Sequence, residues 1–168
     1  MKTVTIFLTL IFPFLVNGQS IYSRDKIISG NTTFLVTKPS EIEQRFVVRN
    51  INNRLFKRRV VMPQAIKGEY LKFVHTDDTE KVKVKGIITA AIGDRMEKLG
   101  NEKLRIQYYI DKHGVIKEIN FVLSRDTKIL PNDLKLIEQY LKEKYIFKVD
   151  SLKLAGVDFI PFFWPVHF

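Results

Sequence analysis

Three histidines, His75, His113 and His167, are the side chains here with an ordinary pKa near neutrality, and no cysteine accompanies them. His75 stands close to Asp77, Asp78 and Glu80, imidazole and carboxylate donors of the kind divalent ions accept. The four are sequential and lack the i,i+4 spacing that places two ligands on one helical face, so no metal site is expected. Asp111 has the chemistry of a general acid or base. Its setting, Asp111-Lys112-His113-Gly114, is accounted for by a turn in which the carboxylate accepts from the backbone beyond it. No glycine-rich phosphate loop, nucleophile elbow, zinc motif or Ser–His–acid pattern occurs. The residues therefore point away from an enzyme, and no catalytic residue, cofactor or metal is expected.

What the chain does have is positive charge. Lysine and arginine number 28 against 18 aspartate and glutamate, a formal net charge of +10. Lys57-Arg58-Arg59 is the densest cluster, with Arg45 and Arg49 upstream. These five are the candidate contact for an anionic surface, whether lipid phosphate, acidic glycan or acidic protein. The competing reading is that the lysines and arginines are solvated faces, with Lys57-Arg58-Arg59 lying on a strand edge.

Compartment follows from residues 1–18. Lys2 gives a short positive start, residues 4–16 are apolar apart from Thr5, Thr9 and Pro13, and Val16 and Gly18 precede a cleavage point before Gln19. The apolar run is shorter than the roughly 20 residues that span a bilayer. The expectation is a cleaved signal peptide and a periplasmic or secreted protein with no transmembrane segment after cleavage. Export makes nucleic acid an improbable partner. The absence of cysteine excludes disulfides and a lipid-modified N-terminus, and fits a bacterial envelope. In that setting Asn31-Thr32-Thr33 reads as a polar turn, not a glycosylation site.

Elements that position these residues can be read along the chain. Residues 21–36 read as two short strands around Ser29-Gly30-Asn31. Residues 40–60 admit two readings. Pro39-Ser40-Glu41-Ile42-Glu43 resembles a capped helix start. Phe46-Val47-Val48, Asn50-Ile51-Asn52-Asn53 and Leu55-Phe56 resemble strand, turn and strand, and the hairpin is slightly preferred. A helix is predicted after Thr76-Asp77-Asp78-Thr79-Glu80, with Val84, Ile88, Ala91, Ile92, Met96 and Leu99 on one stripe and Gly100 as its end. Leu104, Ile106, Tyr108 and Ile110 alternate with polar residues and mark a strand. It turns through residues 111–114 into a second strand carrying Ile119, Phe121 and Leu123. Pro131 opens a helix whose Leu134, Ile137 and Leu141 form a stripe. Extended runs at 145–149 and 158–168 close the chain.

In the last run Ile160, Phe162, Trp164, Val166 and Phe168 share a face. Pro161 and Pro165, four apart, leave one edge without N–H donors, so this strand is predicted at the border of a sheet. The order strand, Asp-x-x-Gly turn, strand, helix, strand over residues 103–168 resembles the TonB C-terminal domain family. Tyr109-Ile110-Asp111-Lys112-His113-Gly114-Val115-Ile116, Ser124, the helix at 132–143, Gly156 and the closing strand carry the resemblance. It implies a small α+β unit of a kind that contacts outer-membrane transporters in the periplasm. The chain departs from energy-coupling members in lacking an uncleaved anchor, a Pro-rich spacer and the Tyr-Pro element before the first strand. The layout also resembles small exported Bacteroidota proteins of unknown function.

The expected fold is α+β, an antiparallel sheet packed against one or two helices. A β-rich part at 19–75 precedes the TonB-like part at 76–168. The expected role is non-catalytic binding or scaffolding in the envelope, with an envelope protein or anionic envelope surface as partner. The alternative is a small outer-membrane β-barrel, prompted by the alternating strand that ends in Phe168. Against it stand the amphipathic helix at 131–143, the 27% charged composition and the two prolines.

Overall fold

A computed structural model describes residues 21–38 and 45–168. The proposed leader at 1–18 and the helix-like start at 39–43 lie outside the described residues. Six antiparallel strands form one sheet: β1 Lys26–Ser29, β2 Thr32–Thr37, β3 Arg45–Asn50, β4 Lys103–Ile110, β5 Ile116–Ser124 and β6 Ile160–His167. Their spatial order is β1-β2-β3-β5-β4-β6. Three helices accompany them: α1 Asp78–Ile92, α2 Arg95–Leu99 and α3 Pro131–Lys144. The α+β expectation is met, and the strands from both ends of the chain meet where β3 pairs with β5.

The alternation of each strand decides its two faces. Phe46 and Val48 of β3 lie opposite Leu123 and Phe121 of β5. They are buried in one core with Leu134, Ile137 and Leu141 of α3 and Val84 and Ile88 of α1. Burying such side chains stabilises by about 1.5–3 kcal/mol each, which is why the stripes of α1 and α3 settle on this face. Tyr108, Phe147, Phe162 and Trp164 add an aromatic cluster, with Tyr108 stacked on Phe162 at 5.4 Å and edge-on to Phe147 at 5.0 Å. The β4–β5 turn is closed by Asp111, whose carboxylate accepts from the His113 N–H at 2.8 Å and the Val115 N–H at 3.1 Å.

The closing strand behaves as its prolines require. β6 pairs only with β4 and forms the border of the sheet. The sheet is open, with β1 and β6 as its edges, so the described strands form no barrel. Helices cover one face, and a strand carrying two prolines cannot pair on both sides.

Three expectations are corrected. Leu55-Phe56 is not a returning strand: Leu55–Lys57 is a single 3₁₀ turn, and β3 pairs instead with β2 and β5. The cause is Glu118, whose carboxylate takes the N–H groups of Arg54 at 2.7 Å and Leu55 at 2.9 Å. It follows that Lys57-Arg58-Arg59 does not lie on a strand edge. The helix expected to run to Leu99 is two helices, broken at Gly93, whose φ of +52° no helix continues through. Gly100 still ends the second of them. Residues 145–149 are extended, as expected, and form two isolated bridges outside the named strands, Val115 with Ile146 and Val74 with Val149.

Candidate functional site

The face of the sheet turned away from α1 and α3 carries the less buried residues of the strands, polar on β4 and mixed on β3, β5 and β6. Register places its residues in rows. Arg45 of β3 lies beside Ser124 of β5, and Val47 beside Val122. Val122 is beside Arg105 of β4, which is beside Pro165 of β6, while Lys103 faces His167. One step further along, Arg49, Asn120, Gln107 and Phe163 form the next row. Neighbouring strands are about 4.8 Å apart, so side chains in a row are within reach of a single small ligand.

Half of this face is covered by the segment that follows β3. Asn53, although buried, donates from Nδ2 to the Ile119 carbonyl at 2.7 Å and to Asn120 Oδ1 at 3.0 Å. Asn120 in turn donates to Gln107 Oε1 at 3.0 Å. Asp158 secures the far end of the segment, accepting from the Val61 N–H at 3.0 Å and pairing with Arg58 at 3.2 Å. Arg49 closes the border of the covered region. Its guanidinium lies 4.1 Å from the centre of the Phe56 ring and donates to Thr37 Oγ1 at 2.9 Å. Burial lowers the pKa of that guanidinium from its ordinary value.

Among the described residues the other half is left uncovered. Arg45, Lys103, Arg105 and His167 surround a shallow cleft of about 150 Å³ floored by Val122 and Ser124, with Pro165 on its rim. Arg45, Lys103, Arg105 and His167 are exposed. Among the described residues none of Arg45, Lys103 and Arg105 has an acidic partner within salt-bridge distance. Arg105 instead lies 5.3 Å from the centre of the Phe163 ring. Three cations lining one cleft with no acidic partner among the described residues attract an anion, and guanidinium groups match the planar oxygens of carboxylate and the tetrahedral oxygens of phosphate.

No protein-family model matches the chain, and no curated protein does. Among solved structures the chain resembles a DUF5043 family protein from Bacteroides uniformis ATCC 8492. The TM-score is 0.70, with 89% of each chain covered and 19% sequence identity. The shared property is the fold. The resemblance to Bacteroidota proteins holds at that level.

Of the five basic residues singled out in the sequence, the structure brings only Arg45 to the uncovered cleft. Arg58 is tied to Asp158 and sits over Phe159 at 5.7 Å, and Lys57 leans on the Phe56 ring at 5.4 Å. Arg59 is exposed and lies outside the cleft. Lys103, Arg105 and His167 were missed as site residues. The alternation of β4 marks Lys103 and Arg105 as its polar face, but their meeting with Arg45 depends on the β3–β5–β4 register, which is non-local.

The candidate metal donors separate into other tasks. Asp77 caps α1 by accepting from the Glu80 N–H at 3.1 Å, and Asp78 pairs with Lys81 at 2.7 Å. Glu80 turns inward, where it is buried and accepts from the Tyr145 hydroxyl at 2.7 Å. Lys83 at 2.8 Å and Lys148 at 3.3 Å complete its shell. Hydrogen bonds from Lys83 and then Tyr145 outweigh desolvation and hold its pKa down to about 2. Asp111 also has its own partners: burial raises its pKa, but Lys117 at 3.0 Å and the two turn N–H groups bring it below the usual range.

Proposed function

We propose that this chain is an exported, non-catalytic binding module of the cell envelope that holds an anionic group on the uncovered half of its sheet. The observation that carries this reading is the convergence of Arg45, Lys103 and Arg105 on one cleft without an acidic partner among the described residues. Like charges gathered on a rigid sheet repel one another. An anionic ligand relieves that repulsion and gains charge-assisted hydrogen bonds. The leader-like residues 1–18 support export. The strand, turn, strand, helix, strand order of residues 103–168, which resembles the TonB C-terminal domain family, supports an envelope location for the partner.

The site is tested by two variants of equal net charge. One replaces Arg45, Lys103 and Arg105 with alanine; the other replaces Lys57, Arg58 and Arg59. Each is sedimented with phosphatidylglycerol vesicles and with phosphatidylcholine vesicles over a salt series. A basic residue near an anionic membrane contributes about 1 kcal/mol, so losing three that act at the site weakens binding by roughly 100-fold. The expected result is that loss for the first variant, a much smaller one for the second, and weakening with salt for the wild type. Equal losses for both variants would reject the cleft in favour of diffuse charge. Export is tested by fractionation with intact mass, where a mature chain beginning at Gln19 is expected.

A further inference from the structure

The cationic cleft has an apolar neighbour. Along the free border of β6 two clefts meet at Trp164. One, of about 190 Å³, lies between α1 and residues 164–167, walled by Val82, Val84, Trp164 and Val166, with Lys85 and the Asp78-paired Lys81 at its α1 side. The other, of about 140 Å³, continues past Leu71, Val74 and Phe162. Val82 is 72% exposed, Phe163 50% and Leu71 49%, and what sets these apart from the apolar side chains exposed singly elsewhere is that they line two adjoining clefts. Each cleft is smaller than the roughly 300–1,000 Å³ of a drug-sized pocket, so the lane suits something narrow and long.

What the lane accepts is limited by its edge. Pro161 and Pro165 remove N–H donors from the border, so a peptide strand finds no full ladder there. A hydrocarbon chain asks for no hydrogen bonds, and the missing donors are groups it does not have to dehydrate. The lane also connects to charge: Pro165 and His167 line both the 190 Å³ apolar cleft and the cationic cleft. An occupant that crosses β6 at Pro165 therefore has its anionic end beside Arg105 and Lys103 and its apolar length beside Trp164. We infer that the ligand is a single-chain anionic amphiphile, with its head in the cationic cleft and its chain along the β6 lane. This inference rests on the anion-binding reading of that cleft and adds the chain.

Trp164 is the single tryptophan of the protein, so its fluorescence reports the lane directly. The full mature chain is titrated with dodecanoate brominated on its chain, kept below the micelle concentration. Saturable quenching of Trp164 is expected. It should weaken about tenfold in Arg105→Ala and disappear in Val82→Glu, a substitution at an exposed helical position that leaves the core intact. Shortening the chain by one methylene should weaken binding two- to fourfold. Quenching of equal strength by a brominated dodecanol, or unchanged in Arg105→Ala, would overturn the placement of the head. Absence of quenching, with vesicle binding still lost in the Arg45, Lys103 and Arg105 variant, would remove the chain and leave the anion site standing. Absence of both would remove both. A dimer in the ligand-free protein, abolished by Val82→Glu, would give the lane to a second copy and overturn the inference.

Discussion

Glu80 shows how a single residue can be legible in type and illegible in role. In the sequence it belongs to an acidic run beside His75; in the fold it is a buried carboxylate held ionised by Lys83, Tyr145 and Lys148. Its folded pKa of about 2 lies below its ordinary 4.5. Stability from this group is therefore complete above about 4.5 and is lost as pH falls towards 2. Glu80→Gln is expected to destabilise by about 1–2 kcal/mol at pH 7, since Tyr145 keeps an acceptor but the lysines lose their charge partner. The gap to the wild type should close as pH drops through that window, as read by denaturant unfolding at several pH values. A gap that stays constant down to pH 2 would show that packing, not charge, is what Glu80 supplies. The long-range partners Tyr145 and Lys148 are the reason no local pattern announces this.

At the scale of elements, the sequence speaks clearly wherever periodicity and punctuation agree. β4, the turn at 111–114, β5, α3 and the border position of β6 follow from alternation, Gly114, Pro131 and the two prolines. It fails where a tertiary contact overrides a local preference. Residues 53–57 have hairpin chemistry, yet Glu118 captures two of their N–H groups and Asn53 is drawn down to Asn120. Gly93 falls inside the stripe that runs to Leu99, yet glycine is a poor helix-interior residue and α1 ends there. Gly114 is the element-scale test. Its φ is +82°, its carbonyl accepts from the Phe147 N–H at 3.0 Å, and a Cβ there would be driven into the Phe147 carbonyl oxygen. Gly114→Ala is expected to cost at least about 2 kcal/mol, combining left-handed backbone strain with overpacking. Thermal unfolding should show the loss, and a midpoint unchanged from wild type would mean that the 145–149 segment can move away freely.

At the scale of the whole molecule, the sheet separates two jobs. One face buries the core under α1 and α3. The other is divided between a region sealed by the segment after β3 and a region whose cations have no acidic partner among the described residues. Composition announced the charge, +10 overall, but could not place it. Density along the sequence pointed to Lys57-Arg58-Arg59, whereas density in space lies at Arg45, Lys103 and Arg105, brought from residues nearly sixty apart by the β3–β5–β4 register. The measurement that bears most directly on this account is a nuclear magnetic resonance titration with glycerol phosphate, a soluble anion without an acyl chain. The arginine Nε–H signals of Arg45 and Arg105 and the backbone amides of Val122 and Ser124 should shift together and saturate, with Arg58 unmoved. Shifts centred on Arg58 and Arg59, or small unsaturating shifts over every basic residue, would contradict a built anion site on the open face.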